Sequence, residues 1–225
     1  MKAVVLLSGG LDSATVLYHA IDKGFQTICL SFDYNQRHKI ELECATELAH
    51  ITKSEHRIVK IDPAMFSQTA LVGTTIEVPK NREMDQSIPV TYVPARNTIF
   101  LSYALALAES YNCDAIFIGA NALDYSGYPD CRPEYITAFQ KMADLAIKRG
   151  VEGNSVVIQT PLIHFTKAEI IKEGLRLKLD YSLTSSCYNP RSDGRPCLQC
   201  DSCRLRQKGF DEVNAKDPLI IKFFS

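Results

Sequence analysis

The chain has 225 residues, 46% hydrophobic and 23% charged, the proportions of a globular protein with one sizeable core. Its 25 basic and 26 acidic residues leave a net charge of −1, so no global field recruits nucleic acid or a membrane surface. No apolar run approaches the ~18 residues of a membrane span, and the apolar start, Ala3 to Leu7, is too short for a signal peptide. A cytoplasmic location is expected, where eight cysteines argue against a disulfide framework.

Val4 to Leu7 is a near-continuous apolar run, as expected of a strand buried on both faces of a parallel sheet. It runs into Ser8-Gly9-Gly10-Leu11-Asp12-Ser13, and a helical stretch follows from Ala14 to Lys23, with Gly24 as its stop. A strand that turns through two glycines into a helix makes an anion site. Gly9 and Gly10 can take φ > 0, and the first N–H groups of the helix have no internal partner. Ser8 and Ser13 add hydroxyl donors for phosphate oxygens. Asp12 beside a phosphate is repulsive unless a cation sits between them, and Mg²⁺ bridging the two meets that need. An ordinary βα turn, tight at Gly-Gly and capped by Asp or Ser, would use the same residues.

This stretch also resembles the pyrophosphate loop of the ATP pyrophosphatase superfamily, Ser-Gly-Gly-x-Asp-Ser, with all five specified residues present. The resemblance implies ATP binding by Ser8, Gly9, Gly10, Leu11, Asp12 and Ser13, and cleavage between the α and β phosphates. A Walker loop is excluded, because no Gly-Lys pair occurs in the chain.

Thr27 to Phe32 reads as the second strand. Residues 39 to 51 are helical, with Ile40, Cys44, Leu48 and Ile51 on one side, and Arg57 to Ile61 alternates like a third strand. The string Phe32-Asp33-Tyr34-Asn35-Gln36-Arg37-His38 falls at the carboxyl end of the second strand, where open α/β sheets bind ligands. A solvated loop with Asp33 capping the next helix would look the same. Residues 62 to 95 lack periodicity and contain Pro63, Pro79, Pro89 and Pro94, as a binding lid or a disordered insertion would. Met65, Phe66, Leu71, Val72, Ile76 and Val78 argue against full disorder. The insertion ends in Tyr92-Val93-Pro94-Ala95-Arg96-Asn97, ahead of an apolar helix from Thr98 to Glu109. Arg96 is unfavourable for the dipole at that helix start, which suggests an anionic ligand, although a surface salt bridge would also explain it.

Asp114 to Ala120 is the next buried strand, and Asn121 to Arg132 follows at its carboxyl end, with a helix opening on Pro133-Glu134. Val156 to Gln159 reads as a fifth strand, and Thr166-Lys-Ala-Glu169 is a capping box for a short helix ending near Gly174. Alternating strands and helices predict an α/β fold: a doubly wound, mainly five-stranded parallel sheet. Residues 1–180 read as one nucleotide-binding domain with the insertion 62–95, and residues 181–225 as a segment packed on it.

That segment carries Cys187, Cys197, Cys200 and Cys203, spaced C-x9-C-x2-C-x2-C. Four thiolates in a reducing compartment fit tetrahedral Zn²⁺. The spacing is not that of a ferredoxin, and no Cys-Pro ending marks a [4Fe–4S] cluster. Four unrelated buried cysteines are the plain alternative. A site filled by four protein ligands is closed and therefore structural; it should pin this segment, and the helix starting near Asp201, to the sheet.

Taken together, Ser8 to Ser13, Phe32 to His38, Val93 to Asn97, Gly127 to Arg132, and Ser186-Cys187-Tyr188 with the later cysteines resemble the 7-cyano-7-deazaguanine synthase family. Asn35 and Ala95 stand where that family's pattern leads us to expect glycine. The resemblance implies an adenine nucleotide alpha hydrolase-like fold, one structural Zn²⁺ per chain, Mg²⁺ with ATP, and a homodimer. It also implies ATP-dependent conversion of 7-carboxy-7-deazaguanine and ammonia to 7-cyano-7-deazaguanine, with Asp12 and Arg96 in catalytic roles. A carboxylate is a poor electrophile, so its oxygen must become a phosphate-ester leaving group before ammonia attacks, and the resulting amide needs activation again. A flat ring with a donor edge and an anion calls for an aromatic face, carboxylates and a cation. Tyr128, Asp124, Asp130, Arg96 and Arg37 supply those types.

Two other readings compete. A different pyrophosphate-loop enzyme, such as a tRNA thiolase, would use a reactive cysteine, and Cys131 could carry a persulfide. A zinc-ribbon module for nucleic acid would use Arg191, Arg195, Arg204 and Arg206, but it leaves Ser8 to Ser13 unexplained. The apolar tail, Leu219 to Phe224, is either a dimer contact or packed on its own domain.

Overall fold

The structure is a computed structural model that describes residues 1–36, 39–66, 69–72, 76–81, 88–123 and 128–224. The first half of the chain runs β1 (Lys2–Leu6), α1 (Leu11–Asp22), β2 (Gln26–Asp33), α2 (Lys39–Ile51) and β3 (Glu55–Lys60). After the insertion come α3 (Arg96–Ser110), β4 (Ala115–Phe117), α4 (Pro133–Ala146), α5 (Lys148–Val151), β5 (Val157–Gln159) and α6 (Lys167–Arg176). The last helices are α7 (Asp201–Glu212) and α8 (Pro218–Phe224). All strand pairs are parallel, in the order β3-β2-β1-β4-β5. The order reverses at β1, and the gap between the carboxyl ends of β1 and β4 is the crevice that such sheets offer to ligands.

Burial on both faces explains the unbroken apolar strands. Val4, Leu6, Ile28, Leu30 and Ile116 point to one face, under Leu101 and Leu105 of α3 and Ile136 and Phe139 of α4. Ala3, Val5, Leu7, Cys29 and Phe117 point to the other, under α1, α2 and α6. This alternation is the period of a strand, and covering both sides is what a parallel sheet requires. All eight cysteines are free thiols.

Several boundaries differ from those the sequence predicts. The first helix begins at Leu11, so Asp12 and Ser13 lie in its first turn. The third helix begins at Arg96, after Ala95 in the left-handed region at φ 52°. The tail forms a short helix, α8, with Leu219 buried and Ile221 and Phe224 each 47% exposed.

The insertion joins two parts of the molecule. Its short 3₁₀ turn, Pro63–Phe66, buries Phe66, and Leu71, Val72 and Val93 join the core beside α3. Ala70 and Val78 pack instead against the cysteine cluster, and Asn81 N–H donates to Gln199 O at 2.9 Å.

The C-terminal segment is tied down by Tyr181 and Arg206. Tyr181 is fully buried, and its hydroxyl lies 2.9 Å from Thr15 Oγ1 and 3.1 Å from Ile170 O. Gly174 makes that possible: a Cβ there would lie 2.0 Å from the Tyr181 hydroxyl. Arg206 grips Asp217 with two N–H···O bonds of 2.6 and 2.8 Å and also donates to Thr184 Oγ1 and Tyr181 O. A planar fork with five donors suits this buried, bidentate role.

Candidate active site

The loop after β1 is organised by its own hydroxyls. Ser8 Oγ and Ser13 Oγ are 2.9 Å apart, Ser8 N–H donates to Ser13 Oγ, and Gly10 N–H donates to Ser8 Oγ. Only one of the two glycines uses left-handed backbone: Gly9 sits at φ 86°, while Gly10 is extended at φ −79° and is the N-cap of α1. Gly9 also has no room for a side chain, since a Cβ would meet Glu41 O at 2.0 Å. The loop is thereby clamped against the first turn of α2.

The far end of the chain completes this loop. Ser185 N–H donates to Gly9 O at 3.0 Å, and Leu11 N–H donates to Ser186 Oγ at 3.1 Å. The next residue, Cys187, belongs to the cysteine cluster.

A cleft of about 250 Å³ opens over the loop. Ser8, Gly10, Leu11, Asp12 and Ser13 line it together with Arg96, Tyr128 and Cys131. Phe32 and Phe100, stacked with centroids 3.8 Å apart, form an apolar wall between strand and helix. The structure therefore brings together the phosphate loop, Arg96 and Tyr128. Arg37 and Asp124 lie outside the described residues.

Asp130 is placed differently from the lining residues. It is buried, its Oδ2 accepts from Asn97 N–H at 2.9 Å, and its carbonyl accepts from Asn97 Nδ2 at 3.0 Å. The carboxylate thus caps the start of α3, satisfying an N–H that the helix cannot. Burial opposes the charge of Arg96, but Tyr34, Tyr128, Cys131 and Asp130 around it more than offset this and hold its pKa above the ordinary value. Tyr128 is itself anchored, its hydroxyl 3.0 Å from Thr91 Oγ1 in the insertion.

Three lining residues escape the sequence reading. Lys167, the first residue of α6, bonds Asp12 Oδ1 through Nζ at 2.7 Å. A cation on the first turn of a helix is the signal that singles out Arg96, and it singles out Lys167 equally. Glu41 lines the cleft from the first turn of α2, and burial pushes its carboxyl up to about 8, against the pull of Arg96. Arg206 lines the cleft too, though its hydrogen bonds go to Asp217, Thr184 and Tyr181. No local sequence signal marks either of the last two.

Cys131 is a poor candidate for a reactive thiol. Burial, reinforced by Asp130, pushes its pKa up to about 11, and its sulfur accepts from Asn97 Nδ2 at 3.2 Å. A persulfide carrier needs the reverse, a thiolate favoured near neutral pH.

The sulfur atoms of Cys187, Cys197, Cys200 and Cys203 all lie within 4.8 Å of one another. Tetrahedral Zn²⁺ with bonds of ~2.3 Å needs sulfurs roughly 4 Å apart, so the four fit one ion. Backbone N–H groups already aim at them: Cys197 N to Cys187 Sγ at 3.1 Å, Cys200 N to Cys197 Sγ at 3.3 Å, and Tyr188 N to Cys200 Sγ at 3.4 Å. Donors of this kind stabilise thiolates and orient them toward a metal.

A parallel sheet with a Ser-Gly-Gly-x-Asp-Ser turn at its switch point, a cleft over that turn and a cysteine cluster defines a nucleotide-binding enzyme of the pyrophosphate-loop class. A 4-thiouridine synthetase, solved as an RNA complex with bound ATP, shares the fold: TM-score 0.50 and 17% identity, over 95% of this chain and 50% of that one. The chain belongs to a particular family within that class, described as queuosine biosynthesis protein QueC, whose profile matches residues 2–214. Among its relatives, the 7-cyano-7-deazaguanine synthase of Desulfatibacillum aliphaticivorans is 58% identical over 222 residues, 96% of this chain and 95% of that protein. That of Syntrophus aciditrophicus is 57% identical over 222 residues, 96% of each.

Proposed function

We propose that this chain is a 7-cyano-7-deazaguanine synthase, an ATP-dependent ligase that converts 7-carboxy-7-deazaguanine and ammonia to the nitrile. The observation that carries this reading is the cleft, which the phosphate loop and Arg96 with its aromatic neighbour Tyr128 line together. ATP lies with its phosphates over Ser8 to Ser13. Asp12 would hold the Mg²⁺ of MgATP, an ion commonly bound through one or two carboxylates. Mg²⁺ there would supply Lewis-acid stabilisation of the departing polyphosphate. Lys167 adds a positive charge at the same end.

The deazapurine ring lies along Phe32 and Tyr128, with Arg96 on the carboxylate and then on its phosphate ester. Asp130, with Oδ2 engaged by Asn97, positions Arg96 rather than touching the ring; Asp124 and Arg37 remain candidates for ring and carboxylate contacts. The cysteine cluster holds one structural Zn²⁺, and the half-exposed Ile221 and Phe224 of α8 lie in the contact of a homodimer. Residues 1–180 form the catalytic domain, Leu71 of the insertion 62–95 lines the cleft, and residues 181–225 complete it. No helix among the described residues is long and apolar enough to cross a membrane, in keeping with a cytoplasmic enzyme.

The test is direct. Purified protein given the acid, MgATP and isotopically labelled ammonium should yield the nitrile with one labelled nitrogen by mass spectrometry, without tRNA. ATP consumption that requires tRNA and ignores the acid would establish the thiolase reading instead.

A further inference from the structure

A nitrile nitrogen carries no proton, whereas ammonium arrives fully protonated, so every proton of ammonium is lost on the enzyme. In the first half, one proton leaves ammonium to free the lone pair. The C–N bond then forms as the C–O bond to the nucleotide phosphate breaks, the electron pair departs with the phosphate oxygen, and a second proton leaves nitrogen. In the second half, the amide oxygen is activated and departs in the same way, and the remaining protons leave the same nitrogen. Resting on the function proposed above, the reaction thus needs a base beside the activated carbon, and neither the phosphate loop nor Arg96 is one.

We infer that Glu41 is the general base that takes these protons. Its main chain is held by the loop: Gly9 packs so closely on the Glu41 carbonyl that no side chain fits between them. Glu41 lines the same cleft as Asp12 and Arg96, and with Asp12 it supplies the carboxylates among the described lining residues.

The other titratable and charged groups around the cleft are committed or unsuited. Asp12 is paired with Lys167 and Arg206 with Asp217. Arg96, like any guanidinium, stays protonated. Burial raises the pKa of Tyr34, and it raises the thiols of Cys131 and, one turn along α2, Cys44 to about 11. The phenols of Tyr128 and Tyr188 also line the cleft, and that of Tyr128 is held by Thr91 Oγ1 at 3.0 Å. None of the described lining residues is a histidine. Burial brings Glu41 close to the working pH, where a base is most effective, and the positive charge of Arg96 limits the shift.

The experiment compares wild type and Glu41→Gln with two nucleophiles. Acid-dependent exchange of labelled pyrophosphate or phosphate into ATP reads the activation step. Product formation with ammonium or with hydroxylamine reads the nitrogen step. Hydroxylamine is far less basic and stands unprotonated at neutral pH, so it needs little help in losing protons. Glu41→Gln should keep exchange within about threefold, lose on the order of 10²-fold or more with ammonium, and recover most of that loss with hydroxylamine. Corrected for the fraction of free ammonia at each pH, the wild-type rate should rise with pH through about 8, and the variant should lack that limb. Ammonium turnover within about threefold of wild type would overturn the role. An equal loss with both nucleophiles would overturn it too, by making Glu41 a support for binding or activation. A wild type that forms no nitrile would instead sink the function on which the inference rests.

Discussion

At the scale of single residues, the two carboxylates in the cleft differ by environment. Asp12 is paired with Lys167 at 2.7 Å, whereas burial pushes the carboxyl of Glu41 up to about 8 against the pull of Arg96. Asp12→Ala should abolish ATP turnover and leave the protein folded, with a melting temperature lowered only modestly by loss of the Lys167 pair, because it removes a phosphate-end carboxylate from the first turn of α1. Undiminished turnover would remove Asp12 from the metal site. For Glu41 the sign follows from its raised folded-state pKa. The folded protein holds that proton more tightly than the unfolded chain, so the stability it contributes is full below about 4.5 and is lost as pH rises to about 8. Denaturation of wild type across that range should show the decline, and Glu41→Gln should flatten it; parallel curves would show that the carboxyl is not buried in solution. Asn35 and Ala95 were legible as glycine-like positions, and both have left-handed backbone, at φ 54° and 52°. Glu41 was not legible. Its period fits an ordinary solvated helix start, and only the fold reveals what lies over it.

At the scale of elements, the strands could be read because burial on both faces leaves unbroken apolar runs, and β1 meets that condition most fully, with Ala3, Val4 and Val5 at 0% exposure. The capping box of α6 could be read as well, and both of its reciprocal hydrogen bonds form. What could not be read were contacts across large separations: the capping of α3 by Asp130 and the completion of the phosphate loop by Ser185 and Ser186. Local propensity carries no trace of a partner 175 residues away. The Ser186 contact can be tested by itself. Ser186→Ala leaves the four sulfurs in place but removes the acceptor for Leu11 N–H, a neutral hydrogen bond of about 1 kcal/mol. ATP affinity should fall roughly fivefold with metal content unchanged, measured by calorimetry and elemental analysis on the same sample. An unchanged affinity would show that the loop holds its shape without the C-terminal segment.

At the scale of the whole molecule, the cysteine cluster lies where three parts of the chain meet. Ala70 and Val78 of the insertion pack on it, Cys187 follows directly on the serines that touch the phosphate loop, and Cys203 lies in α7, which Arg206 ties to Asp217 and Thr184. Four buried or half-buried thiols at van der Waals range gain little from one another without an ion, and an ion held by all four would join these parts. Cys200→Ser should therefore do more than weaken a ligand set. It should lower zinc content well below the one ion per chain expected of wild type, lower the melting temperature, and weaken ATP binding beyond the Ser186→Ala effect. Hydrogen exchange should rise first in residues 185–205 and around Ala70 and Val78, while β1 and β2, buried on both faces, stay protected. Faster exchange spread evenly over the sheet would mean that the cluster stabilises the fold globally. Wild-type affinity for ATP in the metal-depleted variant would mean that the cluster and the phosphate loop are independent. Iron in place of zinc in the wild-type protein, with a visible chromophore, would replace the structural ion by a cluster and overturn the assignment of the four cysteines.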